Sequence, residues 1–400
     1  MGETAGRSHD TDWNAMTTKS KKPRSRRRRA LTTLGVGVGV LALIAGGGVV
    51  AVKQWLSTEF APIEGSPEQG KWYGIYPDGA KDALGDPYHG LLRLGTSDKV
   101  MVVFMGGGVS VDDYTEARPS TTDGDDGFYS VRSGFDNLAK LGLADGKNDN
   151  PFRDWTVIHL PYSTGDFHVG AGTNKVTGID GEQQTIHHEG FTNFDLVMKE
   201  VMPYLGDTSE LLVAGSSAGG FAAAAMTDQA MSYFPDASNV TTVADGALLL
   251  YDWNSVSKDI WKSPSAISDT LTTDNFTLDS LVSLKAKHPQ VKVLFVSSLR
   301  DKLLTQMQAY LDGGELKATE AGGVAFQADL DEMVHQLQKR IPDAGIYLYE
   351  GKTEKDTGLT QHTVLFTDVH EELVDGTTPL TWMDDTVRGE VKSYGLGLLD

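Results

Sequence analysis

The sequence predicts an α/β fold, a mostly parallel sheet with helices on both faces, behind an N-terminal transmembrane helix. Three observations carry this. Short runs rich in Val, Ile and Leu recur without polar alternation, as strands buried on both faces do. Segments with apolar residues at helical spacing lie between them. Ahead of both, a basic cluster meets a long uncharged run.

Residues 1–29 are polar and end in KKPRSRRRR, Lys21 to Arg29. Ala30 to Val52 follows, 23 residues without a charge. About 20 apolar residues span a bilayer as a helix. Positive charge before the span predicts a cytoplasmic tail (1–29), a single-pass signal-anchor (30–52) and a body outside the cell. The alternative is a long signal peptide that is cleaved, which makes the body secreted. The run exceeds the usual signal core and no clear A-x-A site follows, which favours the anchor. The flush position of the basic cluster favours membrane topology over nucleic-acid binding. Beyond Lys53 the chain holds 25 basic and 52 acidic residues, a net charge of −27. Such a body excludes charge-driven binding to nucleic acid or anionic lipid. There is no Cys, which excludes disulfides, thiol catalysis and Cys-ligated metals.

Residues 53–95 carry Pro, Gly and Asp at short intervals and read as a linker and irregular lead-in to a catalytic domain over 96–400. Strands are predicted at Lys99–Met105, Trp155–Tyr162, Glu210–Gly215, Asn239–Asp245, Val291–Ser298 and Ala344–Glu350. Helices are predicted at Asn193–Leu205, Phe221–Met231 and Ala325–Ile341. The stretch from Asp252 to Pro289 is longer than a crossover needs and suggests a cap over the site.

The chemistry is legible at Gly215-Ser216-Ser217-Ala218-Gly219, a G-x-S-x-G between a buried strand and an Ala-rich helix. That context makes the fold α/β-hydrolase-like and Ser217 the nucleophile, set on a sharp strand-to-helix turn with small flanking residues. The strand from Lys99 ends in Gly106-Gly107-Gly108-Val109, a loop whose N–H groups can face a substrate. Gly107, Gly108 and Val109, with Ala218, are the candidate oxyanion donors. No Lys follows at P-loop spacing, which disfavours phosphate binding. In these folds the acid and then the base follow the nucleophile. His362, in a loop after the last strand, is the preferred base, with His370 in reserve. Asp301, just beyond a strand end, is the preferred acid. Asp245, ending the strand before, is the alternative and also suits tying down the loop behind the nucleophile. Tyr162, Asp166 and His168 are expected to line the site. His168, His187 and His188 lack the spacing of a zinc motif, so no metal and no cofactor is expected.

With those residues in hand, the chain resembles the pectin acetylesterase/Notum family of carboxylesterases, in patches from about Lys99 to His362. VVFMGGGVS is similar to the family's oxyanion strand and loop. NPFRDWTVIHLPYSTGDFHVG resembles its N-P-x-x-x-x-W segment, and GSSAGGFAA its nucleophile elbow. VADGALL resembles a strand that makes Asp245 a structural or near-site acid. FVSSLRDKL and TQHTVL lie where the family keeps its triad Asp and His, which implies Asp301 and His362. Plant and animal members are rich in Cys, and this chain has none. An aromatic follows their Gly run where Val109 stands here, so their acyl preference does not carry over. The resemblance implies a serine carboxylic-ester hydrolase. Its expected substrate is an acylated small molecule or glycan, with acetyl the favoured acyl group and an extracellular polysaccharide the favoured carrier. No obligate protein partner is evident. The rivals are a lipase or peptidase on the same fold, and a non-catalytic glycan-binding surface module.

Overall fold

The computed structural model describes residues 59–120, 127–131, 136–147 and 149–399. Both the tail (1–29) and the expected span (30–52) lie outside the described residues. Among those described, no helix is long and apolar enough to cross a membrane.

Eight strands form one mixed sheet: β1 (Trp72–Ile75), β2 (Gly90–Arg93), β3 (Lys99–Phe104), β4 (Thr156–Leu160), β5 (Glu210–Ser216), β6 (Asn239–Asp245), β7 (Lys292–Ser298) and β8 (Gly345–Tyr349). Their order is β1-β2-β4-β3-β5-β6-β7-β8. β2 is antiparallel to both its neighbours, and every other pairing is parallel. β5, which leads to Ser217, sits between β3 and β6 near the middle.

The unbroken apolar runs have the expected cause. Along β3, Val100, Val102 and Phe104 join the core on one face, while Met101 and Val103 join the core on the other. Each strand residue therefore needs an apolar side chain whichever way it points. The first face is covered by α1 (Gly190–Val201), α2 (Ala218–Met231), α3 (Phe276–Lys287), α4 (Lys302–Gly313) and α5 (Glu320–Arg340), each of which adds residues to that core. The second face is covered by α6 (Pro379–Val387), the short turn Gly142–Ala144 and the loop around Val364 and Leu365. In α2, Ala222, Ala223 and Ala224 are all buried, so the helix lies close on the sheet.

One expectation is corrected. Residues 53–95 were expected to be irregular, but β1 and β2 lie there and the sheet begins at Trp72. Each strand has only four residues and contains a glycine, which weakens the β signal. Gly90 is required by packing: a Cβ there would lie 2.6 Å from Val197 Cγ1 of α1.

The long stretch after Asp252 does more than span a crossover. It delivers Trp253, Trp261 and Phe276 into a buried aromatic cluster with Phe167 and Phe221. The rings of Phe167 and Phe221 stack in parallel at 4.1 Å. Trp261 also donates Nε1–H to the Ser110 carbonyl at 2.8 Å, which anchors the far end of the Gly106–Gly108 loop. Truncating Phe221, 1% exposed, should therefore cost about 3–5 kcal/mol. Urea unfolding of Phe221→Ala measures this, and a loss below about 1 kcal/mol would refute the central role given to the cluster.

Candidate active site

Ser217 occupies the turn between β5 and α2 with φ 58 and ψ −128, a conformation disfavoured for a side chain with a Cβ. Close packing enforces it. A Cβ on Gly219 would lie 2.0 Å from the Phe104 carbonyl, so only glycine lets the first turn of α2 sit on the end of β3. The Ser217 N–H donates to the Asp245 carbonyl at 2.8 Å, tying the turn to the end of β6. As the N-cap of a 14-residue helix, Ser217 stands at its positive end.

The glycine loop lies directly against this turn. A Cβ on Gly106 would come within 2.5 Å of Ser217 Cβ. Gly108 has φ 87, and a Cβ there would overlap the Phe128 carbonyl at 2.0 Å. Among the described residues, the N–H groups of Gly107, Gly108 and Ala218 make no hydrogen bond. Val109 departs from the expectation. Its N–H donates to the Phe128 carbonyl at 3.1 Å while Ser130 N–H donates to the Gly107 carbonyl at 2.7 Å. This short antiparallel pairing consumes the Val109 donor and leaves those of Gly107 and Gly108 available.

His362 and Asp301 meet. His362 Nδ1 lies 2.6 Å from Asp301 Oδ2. Asp301 is fully buried and caps α4, its Oδ1 accepting from the N–H groups of Leu303 and Leu304. Burial pushes the His362 imidazole down, but the charge and hydrogen bond of Asp301, with the charge of Asp245, outweigh it, so the ring is held above its ordinary 6.5. Nε2 of His362 has no hydrogen-bond partner among the described residues.

Asp245 is the junction. Its Oδ2 accepts from Ser216 Oγ at 2.8 Å and from the N–H groups of Val364 and Leu365 at 2.9 and 3.0 Å. The next residue, Gly246, has a Cα against the His362 ring: a Cβ there would lie 3.2 Å from its Cε1. One dipeptide therefore holds both the Ser217 turn and the His362 loop. His370, the reserve base, is instead bonded to Asp145 Oδ2 at 2.9 Å and helps to dock the same loop.

Tyr162, Asp166 and His168 were expected on the wall of the site, and the structure puts them beneath it. They are 3%, 0% and 3% exposed. Asp166 accepts from Thr164 Oγ1, His168 N–H and Gly190 N–H, the last at the start of α1. Tyr162 Oη accepts from Phe167 N–H, and the Tyr162 ring fills the space a Gly107 side chain would take. His168 donates Nε2–H to the Met105 carbonyl at 2.9 Å, and burial pushes its ring down to about 4, against that bond and the Asp166 charge. A neutral His168 thus props the end of β3 just before the glycine loop. His187 and His188 bond to Glu189 and to Glu116 and Thr164. Among the described residues, no group of three or more His, Asp and Glu is set to hold a metal.

Sequence reasoning missed the N–H count that separates Gly107 and Gly108 from Val109. It had no access to the pairing with Phe128 and Ser130, which is long-range.

Burial pushes the Asp245 carboxyl up to about 6, against the lowering by the Val364 and Leu365 N–H groups, Ser216 and the His362 charge. Oδ1, which lacks a partner, has room for the proton. A folded-state value raised above the ordinary 3.8 means that the folded protein binds the extra proton. The stabilisation is therefore present below about pH 4 and lost as pH rises toward about 6, by up to about 3 kcal/mol. In Asp245→Asn that part of the slope should vanish when urea unfolding is compared at pH 4.5 and 7. Equal slopes in both proteins would contradict the assignment.

No curated protein matches the chain. Residues 86–288 match the pectinacetylesterase family, a stretch that includes the glycine loop, Ser217 and Asp245 and ends before Asp301 and His362. Over half its length, and with the elbow and loop in place, the chain thus belongs to the pectinacetylesterase family of ester hydrolases.

Proposed function

We propose that the protein is a serine carboxylesterase that removes an acyl group, acetyl by family, from a glycan ester. Ser217 is the nucleophile, His362 the base and Asp301 the residue that orients and charges the base. What supports this most is the 2.6 Å bond from His362 Nδ1 to buried Asp301, with Nε2 left without a hydrogen-bond partner among the described residues.

In this reading the Ser217 hydroxyl adds to the ester carbonyl as His362 Nε2 takes its proton. The N–H groups of Ala218 and of Gly107 or Gly108 receive the oxyanion, aided by the positive end of α2. Collapse of the tetrahedral adduct expels the sugar alcohol, which takes the proton back from His362. Water, deprotonated by His362, then attacks the acyl-enzyme and releases the acid. Asp301 stays ionised throughout and fixes the tautomer with the proton on Nδ1. We place the body outside the cytoplasm, because the basic cluster up to Arg29 directly precedes the uncharged run from Ala30 to Val52.

Hydrolysis of p-nitrophenyl acetate, butyrate and octanoate by the full chain tests the chemistry and sizes the acyl pocket. Ser217→Ala should lower kcat by at least about 10⁴-fold. Retention of activity in that variant would remove Ser217 from the mechanism.

The pH profile tests His362 separately. The base works as neutral imidazole, and its value lies above 6.5. So kcat/KM should rise with pH through a midpoint above 6.5. Asp301→Asn removes the two largest raising influences and leaves burial, so the midpoint should fall while kcat drops by about 10⁴-fold. An unmoved midpoint would exclude the Asp301–His362 pair from the rate-limiting proton transfer.

A further inference from the structure

Behind the proposed triad, on the sheet face covered by α6, three buried polar side chains have incomplete hydrogen bonding. Asp245 ends β6, Ser298 ends β7 and Tyr349 ends β8, and all three are fully buried. Asp245 pairs with Val296, and Ser298 with Tyr349, so the three lie on adjacent strands at the end of the sheet that carries Ser217. Side chains alternate along a strand. Val243, two residues before Asp245, and Val296, two before Ser298, join the same core as Tyr349, so all three residues point to that one face.

Strands are about 4.8 Å apart, so Ser298 stands between the other two. Tyr349 Oη and Asp245 Oδ1 make no hydrogen bond among the described residues. Ser298 Oγ accepts from Thr360 Oγ1 at 2.9 Å, and its own proton has no acceptor among the described residues. Burial pushes the Tyr349 hydroxyl up, so it keeps its proton and stays a donor. Of the carboxylate charges that act on it, that of Asp245 is the largest, followed by Asp301, Glu372 and Asp368. Two buried donors therefore stand beside a buried carboxylate oxygen that needs one. A water bonded to three polar groups is the usual way a fold satisfies such a set.

We infer that one buried water accepts from Tyr349 Oη–H and Ser298 Oγ–H and donates to Asp245 Oδ1, which makes Tyr349 a positioning residue for His362. The inference rests on the esterase reading above and adds a residue to its base. The link is electrostatic. A water donating to Oδ1 favours the ionised carboxylate. Charged Asp245 in turn raises His362, together with Asp301 at Nδ1. Without the Tyr349 donor, Asp245 keeps its proton to a higher pH and the imidazole sheds its proton at a lower one. The two groups are coupled, so their midpoints belong to the pair.

Tyr349→Phe keeps the ring and removes the hydroxyl. On p-nitrophenyl acetate the midpoint of the acid limb of kcat/KM should fall by about half a pH unit. Ser298→Ala should move it in the same direction. In an Asp245→Asn background Tyr349→Phe should cause no further shift. A loss of packing alone would lower stability and leave the midpoint in place. An unmoved midpoint in Tyr349→Phe would overturn the inference, and so would an equal shift in the Asp245→Asn background. If Asp245→Asn does not fold, the double variant of Tyr349 and Ser298 replaces it, and single shifts that simply add would rule out a shared water. The His362 ring titration, followed by NMR on the histidine-labelled full chain, reads the same shift without substrate. If p-nitrophenyl acetate is not hydrolysed, the esterase reading fails by itself, and the NMR midpoint in Tyr349→Phe then decides the water link: a fall upholds it and an unmoved value overturns it.

Discussion

Asp245 is the point on which the site's geometry depends. Its carbonyl accepts the Ser217 N–H, and one oxygen of its carboxylate accepts Ser216 Oγ and the N–H groups of Val364 and Leu365. The Ser217 turn and the His362 loop are far apart in sequence, yet a single buried residue ties one to the other. A fully buried carboxylate is costly unless its bonds are complete, and here one oxygen has three donors and the other none. Burial outweighs those three donors, so the group is held near 6 rather than in the usual carboxylate range.

The same region stores backbone strain. Phe167, His168, Ser217 and Thr363 have positive φ without being glycine, and all lie in turns that border the site. Such conformations persist only where surroundings over-determine them. Here the constraints are visible. Asp166 and Tyr162 fix the turn at Phe167 and His168, the aromatic cluster seats the Phe167 ring, and Asp245 holds the residues after Thr363. The buried framework under the glycine loop thus has a mechanical task. It packs against the loop whose Gly107 and Gly108 N–H groups make no hydrogen bond among the described residues.

Much of this was legible in the sequence, and the boundary of legibility is physical. β3, β5, β6 and β7 could be read because burial on both faces forbids polar alternation. Ser217 could be read because the turn demands glycine at fixed offsets on both sides. β1 and β2 could not, since four residues containing a glycine carry too little pattern. Tyr162, Asp166 and His168 look like site residues by type, and only tertiary contacts reveal that their polar atoms are already spent on backbone. Val109 fails as a donor for the same reason: a hydrogen bond to Phe128 leaves no trace in local sequence.

The chain has no Cys, so its long loops are held by other means. Among the described residues, five histidine–carboxylate bonds join segments distant in sequence: His288 with the partly exposed Asp228, and four more, His89 with Asp136, His188 with Glu116, His362 with Asp301, and His370 with Asp145, the last spanning 225 residues. In those last four the carboxylate is buried. These bonds differ from disulfides in where they act. A disulfide constrains the unfolded chain, whereas a buried pair exists only in the folded one, and breaking it strands a charge or a donor in the interior. Opening one loop therefore carries a steep local penalty, which resists piecemeal fraying near the site. The His362–Asp301 pair is one member of this set, so the contact on which the proposed chemistry rests follows the same rule that closes the rest of the fold.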